Sequence, residues 1–302
     1  SSSAASDVYK RQGWMRAIYS TWQTEAVGGC AHRMGVFVVL ILSHNCTLNI
    51  WPDMIRVVGP KTDREYAPKK RGAIKIFSNC SRKRLFEFIH QIEFYRLTFV
   101  TLTYPRVFPD DGKEVKKHLR RFRARLERKF GKLRVMWRME YQERGAPHFH
   151  LLIMDAPWIC KLWLSHAWYN CVKSGDRKHL IYGTRIEAVA KKGENGKVFA
   201  YLGKYLGKVD DKERENKNEW SGRYWGKWNI EKEGPIEIEV DYGEVVRAVS
   251  VVVSSRGSNK AFTPRDVTRC RVFGGSVGSG NVRDAVIRQI RNCRAAKHER
   301  AA

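Results

Sequence analysis

The stretch LRVMWRMEYQERGAPHFHLLIM, Leu133 to Met154, decides the fold. Two apolar runs, Leu133 to Gln142 and His148 to Met154, flank ERGAP (Glu143 to Pro147). The glycine and proline of that segment mark a turn, so the stretch predicts a β-hairpin with a five-residue loop. Side chains alternate across a strand, so His148 and His150 leave the same face. With the loop at Glu143 to Pro147, Gln142 pairs opposite His148 and Glu140 opposite His150. Directly paired residues on antiparallel strands share a face, so two imidazoles and a carboxylate converge. That donor set suits a divalent cation with open positions for a substrate oxygen. An HxH pair alone is a weak signal, and the carboxylate in register is what raises it. Glu143 is the alternative third ligand under a different register.

Upstream, Ser81 to Glu93 reads as a helix with Leu85, Phe88, Ile89 and Ile92 on one face, followed by the β-rich run LTFVTLT (Leu97 to Thr103), stopped by Tyr104-Pro105. This run is the candidate central strand. A second helix is expected from about Lys113 to Phe130, with Val115, Leu119, Phe122, Leu126 and Phe130 at helical spacing. Its other face is basic: Lys113 to Arg134 holds eleven Lys or Arg against two Glu, too lopsided for the mixed pattern that merely solubilises a helix. A solvated face remains the bland reading. Downstream, Pro157 to Val172 predicts a helix with proline in its first turn, and Thr184 to Val189 a strand. A last helix, about Lys197 to Lys208, contains YLGKYLGK (Tyr201 to Lys208). The order strand, helix, strand, strand, helix, strand predicts an α+β fold, a ferredoxin-like (RRM-like) βαββαβ antiparallel sheet with an added helix.

On that added helix Tyr201 and Tyr205 lie four apart and share a face, as do Lys204 and Lys208. A phenol of ordinary pKa near 10 needs positive charge nearby to act as a nucleophile, and two lysines supply it. The alternative is an amphipathic helix with aromatic packing. Gly203 and Gly207 argue against it, since each costs about 1 kcal/mol in a helix interior.

The formal net charge of +26 and the pI near 10.0 call for a polyanionic partner, nucleic acid first and an anionic membrane surface second. The longest apolar run, Gly35 to Leu42, is eight residues, well short of the ~18 that span a bilayer. Seven cysteines, odd in number and without a CxxC pair, read as reduced intracellular thiols. Ser2 to Gln12, SSAASDVYKRQ, resembles an in-frame translation of a transposase sequencing adapter, so 1–12 is set apart from the fold. Residues 13–68 carry no assigned function, and Met15, Met34 and Met54 are all possible initiators. The nuclease-like domain is expected over 69–210. A small β-rich extension over 211–254 includes GRYWGKW (Gly222 to Trp228) and alternating IEIEV and VVRAVSVVV strands. The basic tail 255–302 reads as largely disordered, with a short helix near Val282 to Asn292. No GxxxxGK[ST] loop is present, so no P-loop motor is visible.

FVTLTYP (Phe99 to Pro105), ERGAPHFH with Glu140 ahead of it, and YLGKYLGK, in that order, resemble the motifs of the HUH endonucleases. Within that superfamily they look like the rolling-circle replication initiators of small single-stranded DNA phages, of the filamentous-phage gene II and microvirus replication-protein types. The resemblance covers about Arg71 to Trp228. It implies that His148, His150 and Glu140 bind Mg2+ or Mn2+, and that Tyr201 or Tyr205, assisted by Lys204 and Lys208, attacks the scissile phosphate. A 5′-phosphotyrosine and a free 3′-OH would result. The candidate DNA contacts are Thr101 and Thr103 on the strand and Lys116, Arg120 and Arg123 on the basic helix. The implied partners are single-stranded origin DNA and a host helicase and polymerase, in the bacterial cytoplasm. Two other readings compete: a relaxase or transposase of related chemistry, and a non-catalytic single-strand binder.

Overall fold

The computed structural model describes residues 46–59, 74, 76–191, 222–231, 233–254, 272–274 and 281–301. In chain order the elements are β1 (Cys46–Trp51), β2 (Met54–Val58), α1 (Asn79–His90), β3 (Arg96–Thr103), α2 (Gly112–Phe130), β4 (Arg134–Tyr141) and β5 (Pro147–Met154). There follow α3 (Lys161–Val172), α4 (Arg177–Tyr182), β6 (Thr184–Lys191), β7 (Trp225–Trp228), β8 (Ile236–Val240), α5 (Tyr242–Ser254), β9 (Val272–Gly274) and α6 (Asn281–Ala301).

The larger sheet has the order β6-β3-β5-β4-β7, with every neighbouring pair antiparallel. β3 is an interior strand, as its continuous apolar run predicts, and Leu97, Phe99, Val100 and Leu102 are all buried. Because β3 and β4 are both antiparallel to β5, they run parallel to each other and need the crossover that α2 provides. α2 buries Val115, Leu119, Phe122 and Leu126. Asp111 caps it by accepting from the Lys113 amide at 2.8 Å, and it ends at Gly131, whose φ of +79° favours glycine.

α2 and α3 cover one face of the sheet. Trp168 meets Phe122 and Phe149 edge-on, with centroids 5.9 and 6.3 Å away, and Phe130 meets Trp163 at 4.8 Å. α1 lies on the other face, where Phe88 packs on Trp225 and the Trp225 indole donates to Ser81 Oγ at 3.0 Å. Trp225 is in register with Arg138, which fixes α1 to the face that carries Glu140 and the histidines.

Several expectations shift. α3 starts at Lys161, not at Pro157, and Cys160 occupies its N-cap without a side-chain hydrogen bond. The span 211–254 does not form one extension. WGKW adds to the large sheet beside β4, whereas IEIEV pairs with β1 in a second sheet of order β8-β1-β2-β9. VVRAVSVVV is helical, not a strand. Val245, Ala248, Val249, Val252 and Val253 repeat at helical spacing and are buried. Asp241 and Glu244 exchange backbone and carboxylate hydrogen bonds at 3.0 Å each, a capping box that starts the helix. In the tail, Asn281–Ala301 is a 21-residue helix that buries Val282, Val286, Ile290 and Cys293 against this second core. Its Arg294 pairs with Glu244 at 2.9 Å. Cys46 to Asp53, assigned no role from sequence, thus belongs to a packed sheet. The two sheets are tied together by Arg56–Glu87 at 2.8 Å and by the Asp53 amide donating to His90 O at 3.1 Å. No described helix is long and apolar enough to cross a membrane.

Candidate metal centre

β4 and β5 enclose a loop from Gln142 to Ala146, one residue earlier than expected. The Gln142 amide donates to Ala146 O at 2.9 Å and the Gly145 amide to Gln142 O at 2.8 Å; Gly145 takes a φ of +79°. Pro147 is therefore the first strand residue, paired with Tyr141, and Glu140 lies opposite His148, not His150. Arg138 is the residue opposite His150. The register moves by two, which preserves the face, so Glu140, His148 and His150 still converge.

One ligand atom from each of the three lies within 4.8 Å of the others. Glu140 Oε1 reaches diagonally to His150 Nε2 at 2.5 Å. Its Oε2 is buried and takes no hydrogen bond among the described residues, while Arg138 Nη1 stands 3.6 Å from it. A buried carboxylate oxygen without a hydrogen bond is an acceptor a cation could satisfy. The neighbouring strand supplies the imidazoles' other partners. Thr103, in register with His148, places Oγ1 3.0 Å from His148 Nδ1, and Thr101, in register with His150, places Oγ1 3.5 Å from His150 Nδ1. Phe99 stacks on the His150 ring at 5.3 Å.

Burial works to raise the Glu140 carboxyl, but its hydrogen bond to His150 and the charges of His150, Arg138 and His148 outweigh that and hold it below its ordinary value. Burial, with the neighbouring His150 second, lowers His148 to about 4, and Glu140 only partly opposes this. At neutral pH the site then offers an ionised carboxylate and an uncharged His148, the protonation states that metal ligation requires. Two imidazoles and one carboxylate with open positions could hold a divalent cation and a substrate oxygen together.

Arg144, in the hairpin loop, binds the loop to the end of β3. Its Nη2 donates to Tyr104 O at 2.6 Å and its Nη1 to Pro105 O at 2.7 Å, and its guanidinium lies 5.4 Å from the Phe108 ring. Sequence reasoning passes over Arg144 and Arg138. Arg138 could have been found, because alternation along β4 puts it on the face of Glu140; there it is fully buried, with its guanidinium 4.7 Å from the Phe77 ring.

The other candidate residues are placed differently. Tyr201, Lys204, Tyr205 and Lys208 lie outside the described residues, as does the helix expected to carry them. Glu143 is exposed in the loop and is not part of the cluster. Thr101 and Thr103 sit beside the histidines. Lys116, Arg120 and Arg123 are on α2, across the sheet from the cluster. Of these, Arg120 is exposed. Lys116 is held inside, 4.7 Å from the Trp137 ring and 5.5 Å from Phe149, and donates to Arg223 O at 2.6 Å; burial lowers it to about 7. Arg123 binds Glu127 at 2.9 Å and Asn229 at 3.2 Å and lies over Trp228, joining α2 to the segment after β7.

No solved structure matches this chain. A protein of Xylella fastidiosa (strain 9a5c) that carries a replication-protein name is 26% identical over 243 residues, which cover 68% of this chain and 81% of the relative. Residues 97–210, from β3 through the histidine hairpin to the YLGKYLGK segment, match the profile of a family described as replication-associated proteins of the ORF2 and gene II protein type, so the segment carrying the cluster is similar to replication-associated proteins.

Proposed function

We propose that this chain is a replication initiator that nicks and rejoins single-stranded DNA at a replication origin and so drives rolling-circle replication. In this reading Glu140, His148 and His150 hold Mg2+ or Mn2+, and Tyr201 or Tyr205 is the nucleophile. The observation that carries the reading is the convergence of the three donor residues on one face of the hairpin, inside the segment similar to replication-associated proteins. The donors fit such an ion: the carboxylate is ionised, His148 is uncharged, and Glu140 Oε2 has no hydrogen bond of its own among the described residues. A bound cation would supply Lewis-acid polarisation of the scissile phosphate.

The tyrosine oxygen forms a bond to phosphorus as the 3′ oxygen leaves and takes up a proton. One phosphodiester is exchanged for a 5′-phosphotyrosine, so the bond energy is kept for rejoining. Lys204 and Lys208 favour the phenolate, and the second tyrosine can attack the regenerated junction to close the circle. The strand order β6-β3-β5-β4, with α2 and α3 on one face, supports a ferredoxin-like HUH architecture for this part of the chain. The exposed cations of α2, among them Lys117, Arg120, Arg121 and Arg125, suit contacts to backbone phosphates on the face away from the cluster. Unwinding and extension fall to a helicase and polymerase of the bacterial host, in whose cytoplasm the protein acts.

The test compares wild type, His148→Ala and Glu140→Gln for cleavage of single-stranded origin DNA with and without Mn2+. Both variants are expected to lose metal-dependent cleavage and keep salt-sensitive DNA binding. Cleavage at wild-type rate by either would overturn the assignment of the ligands.

A further inference from the structure

The two imidazoles of the cluster are oriented by different partners. His150 is held through Nε2 by Glu140 at 2.5 Å, and its contact with Thr101 is long at 3.5 Å. His148 is held through Nδ1 by Thr103 Oγ1 at 3.0 Å. We infer that Thr103 is a positioning residue: its hydroxyl accepts the Nδ1 proton of His148, fixes that ring in the Nδ1–H tautomer, and reserves the Nε2 lone pair for a cation. This inference deepens the metal reading and rests on it for the role of Nε2.

A hydroxyl can fix a ring only if its own backbone is fixed, and Thr103 is firmly anchored at this end of β3. Its carbonyl accepts from the Trp168 indole at 2.8 Å and from His179 Nε2 at 3.0 Å, and its amide donates to Gly183 O at 2.8 Å. The anchors are themselves packed. Trp168 is fully buried between Tyr104, Phe122 and Phe149. His179 is buried, and its Nδ1 is 2.9 Å from Ser174 Oγ, whose hydroxyl can donate to it; Nε2 then carries the proton given to Thr103. A β-carbon on Gly183 would sit 2.4 Å from the His179 ring, so glycine is what lets α4 close over it. α3 and α4 thus reach the cluster through one threonine, in the manner in which outer partners orient ligating histidines. The sequence signal is the alternation of TLT with HFH across two paired strands.

The full-length chain, labelled with 15N histidine and free of metal, is compared as wild type, Thr103→Val and Thr103→Ser. The His148 ring nitrogens are assigned by their loss in His148→Gln, and Mn2+ affinity is measured by calorimetry. In wild type, Nδ1 is expected to give the protonated and Nε2 the unprotonated ring-nitrogen shift. Thr103→Val, nearly the same shape without the hydroxyl, should mix the tautomers and weaken Mn2+ binding roughly tenfold or more. Thr103→Ser should restore both. A wild-type His148 protonated on Nε2 would overturn the inference, even if Thr103→Val failed to fold. So would unchanged tautomer and affinity in a folded Thr103→Val. If wild type showed the expected tautomer and its loss in Thr103→Val, yet bound no Mn2+, the metal reading would fall and the tautomer assignment would stand.

Discussion

Replacing Arg144 with alanine tests how the histidine hairpin is held to the rest of the sheet. The side chain gives two short hydrogen bonds, 2.6 and 2.7 Å, to Tyr104 O and Pro105 O, and a contact of 3.5 Å to Arg106 O too long to weigh much. A hydrogen bond from a charged group is worth roughly 1.5–3 kcal/mol where water is excluded, but Arg144 is on the surface and both carbonyls can be rehydrated. The ordinary net value of about 0.5–1.5 kcal/mol per bond is the better guide, giving a total loss of about 1–3 kcal/mol. Guanidinium unfolding of the metal-free protein measures this directly and keeps ligand binding out of the comparison. Arg144→Lys should recover less than half, because an ammonium cannot present the paired donors that span two successive carbonyls. A change of less than about 0.5 kcal/mol in Arg144→Ala, the size of an ordinary surface substitution, would refute the clamp.

Two further predictions concern the cluster and its sheet. His148 has a folded pKa of about 4 against 6.5 for a free imidazole, so between those values the unfolded chain takes up a proton that the folded one refuses. Stability is therefore full above pH 6.5 and falls as the pH drops to about 4, by up to about 3 kcal/mol from this residue. Metal-free denaturation curves from pH 7 to 4 should show that slope flattened in His148→Gln; equal slopes would contradict the burial argument. Gly226 faces Trp137 across β4 and β7, and a β-carbon there would come within 2.8 Å of the indole. Gly226→Ala should cost about 1–3 kcal/mol by overpacking and shift the tryptophan fluorescence, and an unchanged melting temperature would show that the indole has room to move.

The hairpin is legible from sequence because strand parity is robust. Placing the loop one residue late changes the partner of Glu140 from His150 to His148 but leaves its face unaltered. Loop ends are harder to read, because the closing bond from the Gln142 amide to Ala146 O is a geometric outcome that composition does not specify. α5 departs from its expected strand for a definite reason. Its β-branched residues favour strands, but Asp241 and Glu244 supply the start signal of a helix, and burial at positions 245, 248, 249, 252 and 253 follows helical spacing. The pairing of β1 and β2 with β8 and β9 is invisible in the sequence because it joins residues more than 180 apart, and nothing local announces such a partner. On α2, basic residues look alike as a charge pattern. Only three-dimensional packing separates exposed Arg120 from Lys116, which lies against Trp137.

The most direct measurement of the central claim incubates the chain with labelled single-stranded circular origin DNA and Mn2+ and resolves the products on a denaturing gel. The account predicts a metal-dependent covalent protein–DNA adduct, reduced or retained in Tyr201→Phe or Tyr205→Phe and absent in the double variant. An adduct formed by the double variant, or DNA bound without any adduct by the wild type, would contradict it.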